Sequence, residues 1–249
     1  MLMLLLAEAA TATSPICTDR PTKANAVCTV PSGTVQIETS AAAWSRTDVG
    51  DATSETWTLG STVAKVGIDR RSDFQLGFTP YVRTRAGGSS IEGIGDVVVR
   101  YKRRLSRDEA AVQVSVIPFA KIPAATRGIG NRKLEGGIAL PVSTALPGSI
   151  TATFGPEIDL LADGDGQGHH PALVNLVHLA APVAPRLTLI GELWSNLNFD
   201  PAGTIKQASA DVAVAYLASD RMQFDAGANI GLTRDTPDLE LSVGLSVTL

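Results

Sequence analysis

The chain has 249 residues and a mass of 25.9 kDa, enough for one large all-β domain or two smaller ones. Its formal net charge of −4 gives no basic surface that would argue for a nucleic-acid partner. The hydrophobic fraction is 44%, yet beyond residue 6 no apolar run approaches the roughly 20 residues that a membrane-crossing helix requires. Twenty-three glycines, with Val, Ile, Thr and Ser recurring throughout, favour short strands over helices.

Leu2 to Leu6 form a short apolar core, followed by Ala-x-Ala steps at Ala7–Ala9 and Ala10–Ala12. That is the pattern of an export signal, expected over 1–12, with the usual positive start missing. Cys17 and Cys28 follow in CTDRPTKANAVC. An exported protein with one close pair usually oxidises it, so a structural disulfide is expected inside an N-terminal periplasmic segment at 13–32. Zinc would need two more ligands.

From residue 33 the dominant signal has period two. Leu239, Leu241, Val243, Leu245, Val247 and Leu249 alternate with Glu240, Ser242, Gly244, Ser246 and Thr248. Met222 to Leu232 and Ile150 to Leu160 repeat the pattern, each about ten residues long, as a tilted membrane strand would be. Twelve such segments are expected at 33–45, 54–68, 73–85, 94–104, 110–121, 132–144, 149–161, 172–182, 186–197, 205–217, 221–233 and 238–249. The segment 54–68 alternates poorly, which leaves its facing open.

Connections alternate as well. Long ones are expected at 46–53, 86–93, 122–131, 162–171, 198–204 and 234–237. Short ones fall at 69–72, 105–109, 145–148, 183–185 and 218–220. Outer-membrane barrels pair short periplasmic turns with longer external loops, whereas a soluble sandwich has no reason to. Backbone inside lipid must also be fully hydrogen-bonded, which a closed sheet achieves. The expectation is therefore all-β: a transmembrane antiparallel up-and-down barrel of about twelve strands over 33–249, in the bacterial outer membrane. Phe74, Tyr101, Tyr216 and Phe224 fall on its apolar face near the short-turn rim, as an aromatic girdle would.

The sequence also resembles the outer-membrane transporter family linked to the meta-pathway of phenol degradation. The resemblance lies in TDRPT (18–22) leading to VPSGTVQIET (30–39), in GIGDVVVRYKRRL (93–105) and in IPFAKIPAATRGIG (117–130). It continues in LIGELWSN (189–196) and, most distinctively, in FDAGANIGLTRDTPDLELSVGLSVTL (224–249). Ala124-Ala125 depart from the small polar residue and Gly usual there, and Leu249 from the usual terminal aromatic. The resemblance implies a barrel and a transport role; it does not establish the substrate, and only the family's link to phenol degradation suggests an aromatic or other hydrophobic compound.

No GxSxG, HExxH or Walker motif is present, and the glycines around Ile94 and Ile129 read as strand-start bends. The loop ADGDGQGHH (162–170) reads as a solvated surface loop, although Asp163, Asp165, His169 and His170 are of ligand type; no metal or cofactor is expected. His178, on a strand, reads as a wall histidine. Alternation places Arg83, Arg85, Arg100, Lys102 and Lys121 on the lumen side of strands three to five. Glu135, Glu157, Asp159, Glu192, Asp211, Asp225 and Glu240 fall there on strands six to twelve. Charges on lipid would cost roughly 2–4 kcal/mol near the midplane, which forces them inward. The two signs either neutralise each other in a packed plug or line a wet pore. Twelve strands fall between a filled eight-stranded barrel and an open porin, and imply a narrow path for a small solute. The expected partners are outer-membrane lipid, that solute and the barrel assembly machinery, with no nucleic acid. The alternatives are a non-conducting structural or adhesion barrel, or a lipid-modifying enzyme using His178 with Ser143, Ser149 or Ser195.

Overall fold

The computed structural model describes residues 16–50 and 52–249, so the expected signal segment at 1–12 lies outside the described residues. The strands are β1 (Val35–Val49), β2 (Ala52–Asp69), β3 (Ser72–Phe78), β4 (Tyr81–Ala86), β5 (Ser89–Gly93), β6 (Val97–Arg104), β7 (Val112–Ile122) and β8 (Glu135–Ala139). They continue as β9 (Val142–Leu146), β10 (Ile150–Phe154), β11 (Glu157–Ala162), β12 (His169–Ala184), β13 (Leu187–Asn198), β14 (Ile205–Ser219), β15 (Met222–Gly231) and β16 (Leu239–Thr248). Four pairs, β3/β4, β5/β6, β8/β9 and β10/β11, are single spans with a break, which leaves twelve spans as the alternation predicts. Three of the breaks hold Pro80, Pro141 and Pro156, residues that cannot donate to a ladder.

Every neighbouring pair of spans is antiparallel, and β1 pairs with β16 from Gln36↔Thr248 to Arg46↔Leu239, closing the barrel. Closure satisfies the backbone and leaves the outer surface free to be apolar. Val66, Leu76, Phe154, Ile158, Leu160, Val177, Leu193, Val212, Ile230 and Val243 are accordingly exposed on it. The buried set is instead largely polar, including Gln36, Glu38, Lys65, Asp73, Gln75 and Lys102. This inside-out distribution is what lipid outside and a polar lumen inside demand.

Two expected loops are different in the structure. β1 and β2 continue to Val49 and Ala52, and β4 and β5 form a hairpin turning at Gly87-Gly88, so 46–53 and 86–93 are mostly strand. The poor alternation of 54–68 has a physical cause. Against β16 the register of β1 slips between Ser40 and Ala42. In β2 and β4 the parity changes at the matching row, Gly60 and Pro80. Gly60 has φ +69°, a left-handed backbone that glycine adopts readily, and an added Cβ would sit 3.1 Å from Pro80 Cγ. Below this row Val66 and Ile68 face outward, and above it Trp57 and Leu59 do. A strand that changes parity halfway cannot show one clean period.

Candidate functional site: the lumen and its N-terminal segment

Residues 16–34 do not form a separate unit outside the wall, where the sequence suggested a periplasmic segment at 13–32. They cross the lumen at its short-turn end, bonded to strands on opposite sides. Cys17 and Cys28 are bridged (S–S 2.07 Å, Cα–Cα 5.9 Å), which closes an 11-residue loop carrying most of the contacts.

Toward one arc the loop presents a carboxylate. Asp19 lies 2.6 Å from Lys65 Nζ and 2.9 Å from Lys102 Nζ, with the Arg100 guanidinium at 4.0 Å. Lys65 also pairs with Glu38 at 2.5 Å, and Lys102 donates to the Ala26 carbonyl at 2.8 Å. Arg100 contacts Asn25. Burial would raise the Asp19 pKa, but Lys102, Lys65 and Arg100 together hold it well below the usual carboxylate range.

Toward the other arc the loop presents cations. Arg20 grips Asp225 with two hydrogen bonds, Nη2 at 2.6 Å and Nε at 3.2 Å. A Cβ on Gly244 would fall 2.2 Å from that guanidinium, so only glycine leaves room. Lys23 donates to Asp211 at 2.9 Å and to Ser209 at 3.1 Å, stands 3.8 Å from Glu240, and lies 5.2 Å over the Trp194 ring. Glu192 accepts the Lys23 and Ala24 backbone N–H groups at 3.0 and 3.1 Å and pairs with His178 at 3.0 Å. Val30 N–H donates to Asp73 at 2.9 Å, and Ser115 to the Val27 carbonyl at 2.5 Å. The segment thus matches anion to the basic arc and cation to the acidic arc. Buried charges persist only when matched this way.

Ten of the twelve sequence-predicted wall charges face inward. Arg100, Lys102, Glu192, Asp211, Asp225 and Glu240 meet the N-terminal segment. Lys121 and Glu135 pair at 2.9 Å nearer the long-loop end, with Asp96 at 3.2 Å from Lys121. Glu157 and Asp159 line a 290 Å³ cavity with Lys23, Asn25, Trp194 and Asn196, beyond the segment. A second cavity of 530 Å³ lies on the segment's other side, with Thr18, Ala26, Thr153, His178 and Gln223. Asn25 borders both, so the segment divides the lumen.

Arg83 and Arg85 are a correction. Arg83 is opposite Trp57 and Arg85 opposite Glu55, on the outward face of β4, because parity reverses at Gly60 and Pro80. Asp19, Arg20, Lys23, Glu38, Lys65 and Asp73 were missed. Glu38 and Lys65 follow from the pleat once the strand's facing is known, but the loop residues carry no periodic signal. Phe74, Tyr101, Tyr216 and Phe224 lie exposed outside, as Phe74↔Tyr101 and Tyr216↔Phe224 pairs. Among the described residues, no group of three or more metal-type side chains converges. Asp163 bonds His170 at 2.8 Å and His169 reaches the Leu134 carbonyl at 2.9 Å. Ser143 bonds Thr153 at 2.5 Å.

A closed twelve-span barrel, apolar outside and ion-paired within, is an outer-membrane β-barrel. The chain belongs to the family described as "Putative MetA-pathway of phenol degradation", whose model matches residues 18–249. No curated protein matches the sequence. Among solved structures, a COG4313 outer membrane channel from Pseudomonas putida F1 superposes with TM-score 0.74 at 12% identity, covering 92% of this chain and 99% of that one. The β domain of the Bordetella autotransporter BrkA gives 0.53 at 11% identity, covering 88% and 100%. The NalP translocator domain from Neisseria meningitidis gives 0.52 at 12%, covering 88% and 89%. At these identities the likeness is one of fold.

Proposed function

We propose that this barrel is a channel for a small solute, closed at rest by its own N-terminal segment and not an enzyme. The carrying observation is the division of a polar lumen into cavities of 290 and 530 Å³ by a segment that side-chain hydrogen bonds and ion pairs, not strand pairing, hold to the wall through residues 17–30. The Asn25 side chain, between the two cavities, is held by Arg100. Movement of residues 23–26 would join the spaces without breaking any strand pairing. The family's link to phenol degradation supports a small aromatic compound as the solute, as does Trp194 in the wall of the 290 Å³ cavity, a ring that Lys23 covers until residues 23–26 move. A polar wall alone would favour ions and water. The short turns would face the periplasm and the long loops outward, the usual arrangement of such barrels.

The test is planar-bilayer conductance together with uptake of a labelled phenol into vesicles. Wild type should show small, intermittent conductance, and Arg20→Ala with Lys23→Ala should enlarge it several-fold. Silence from both proteins would instead assign the barrel a structural role, which the dense ion pairing of the segment would then serve.

A further inference from the structure

Arg83 and Arg85, removed from the lumen by the parity change, need a partner outside. The register defines two rows across the outer wall. The lower row runs Trp44–Trp57–Arg83–Glu92 and the upper one Arg46–Glu55–Arg85–Ser90. The Trp44 and Trp57 rings lie 6.1 Å apart, tilted 45° to one another, and Tyr81 lies one step below Arg83 on the same face. Tryptophan and tyrosine gather at membrane–water interfaces. Their level fits: Trp57 lies nine residues above Val66, which is opposite Phe74 of the lower girdle. At strand rise and usual tilt this is about 23 Å of height, close to the roughly 25 Å apolar band of such barrels. Arg83 therefore stands at the headgroup level, and Arg85 one step above.

Neither guanidinium makes an ion pair within 4.0 Å among the described residues, and Arg83 Nε is enclosed with no hydrogen-bond partner. Among the described residues the nearby carboxylates are Asp48, Glu55 and Glu92. Asp48 is bound to Arg46 and Thr53, and Glu92 accepts the Tyr81 hydroxyl. Glu92 stays anionic but does not line the adjoining concavity, within which two arginines stand against Glu55 alone. Thr53, Glu55, Arg83, Arg85, Gly88 and Ser90 line an outward concavity of about 460 Å³. Paired guanidiniums with hydroxyls and a glycine turn suit a phosphate, which arginine binds in fork geometry.

We propose that this concavity holds the phosphate of an anionic glycolipid of the outer leaflet, its acyl chains lying against Leu59 and Pro80 below. Outer-leaflet glycolipids carry their phosphates at this depth, so the occupant is a lipid and not a soluble anion. The inference is independent of whether the lumen conducts.

The test uses the folded full chain in detergent, with bis-phosphorylated lipid A as probe and native mass spectrometry as readout. Wild type should retain lipid A, and Arg83→Ala with Arg85→Ala should bind it at least tenfold more weakly. Dephosphorylated lipid A should bind wild type as weakly as that variant. Arg83→Lys with Arg85→Lys, which keeps the charge but loses the fork, should fall between. Heat-modifiable gel mobility checks that each variant is folded; should the alanine pair misfold, the lysine pair and the dephosphorylated probe carry the test. Equal retention by wild type and variants would overturn the proposal, as would equal binding of dephosphorylated lipid A. Displacement of lipid A by equimolar inorganic phosphate would overturn it too, since a headgroup site holds the whole lipid.

Discussion

Below the row Ala41–Gly60–Pro80 the wall of β2 and β3 turns Lys65, Asp73 and Gln75 into the lumen, where they are buried and bonded. Above it, the same wall turns Glu55 and Arg83 outward, beside a tryptophan pair. Composition hardly differs between the two regions; one irregular residue per strand does. A bulge is therefore a re-aiming device: it exchanges the faces of every residue beyond it while keeping the strand in the barrel. The lower region meets an internal segment, and the upper one meets solvent and lipid headgroups.

The comparison breaks most severely if the lower region loses its central carboxylate. Asp19→Ala leaves Lys102, 0% exposed, without its carboxylate partner, and Lys65, 1% exposed, with Glu38 alone. Stranding buried charge in this way costs about 3–5 kcal/mol. Denaturant unfolding in vesicles should read that loss, with release of the segment to protease added from the turn side. The native carboxyl, held below its ordinary value near 3.8, contributes its full stabilisation above that pH. The contribution is lost only as pH falls further, toward the depressed native value. Protease protection of residues 16–34 should therefore be equal at pH 7 and pH 5; loss between those values would show that Asp19 is not the anchor.

Next in size is the difference between neighbours on opposite faces. Val99 is opposite the exposed Leu76, while Arg100 is opposite buried Gln75. Val99→Arg places a charge against lipid and should cost about 2–4 kcal/mol, reducing the heat-modifiable fraction on gels. Arg100→Glu should leave the barrel assembled, release Asn25 and shift permeation toward cations. Equal assembly defects in the two variants would contradict the facing assigned to β6. Reducing Cys17–Cys28 is comparable in scale: freeing an 11-residue loop costs about 3 kcal/mol in the chain-entropy model. The effect should appear as loosening of the segment, with the barrel's own unfolding midpoint unchanged.

The twelve spans were legible because lipid imposes one rule on every strand, and the rule survives in residues such as Leu241, Val243 and Leu245. The inward charges from Arg100 to Glu240 followed from it directly. Arg83 and Arg85 did not, because their parity is set at Gly60 and Pro80, and a glycine or proline in sequence does not announce a change of face. The N-terminal segment was hidden for a different reason. Asp19, Arg20 and Lys23 find partners 46 to 217 residues away, and no local pattern encodes contacts at that range. The one trace was complementarity: basic wall residues on early strands, acidic ones on late strands, and both signs within TDRPTK.

The smallest expected effect tests the row that separates the two regions. Gly60→Ala puts a side chain on a left-handed backbone and presses its Cβ to 3.1 Å from Pro80 Cγ. The conformation alone costs about 1 kcal/mol, and the proline ring edge can give by a few tenths of an ångström. The variant should therefore fold, with an unfolding midpoint slightly below wild type. Asp19 should keep its lysines, because they lie on the far side of the row, and protease protection of the segment should not change. The upper rows should respond instead, through the Trp44–Trp57 pair that hangs on the same two strands. Tryptophan fluorescence in vesicles would read a changed interfacial environment there. A blue or red shift with an intact segment means the kink governs only what lies above it. A segment released by so small a change would mean that the two regions are one cooperative unit, and the division drawn between them would be wrong.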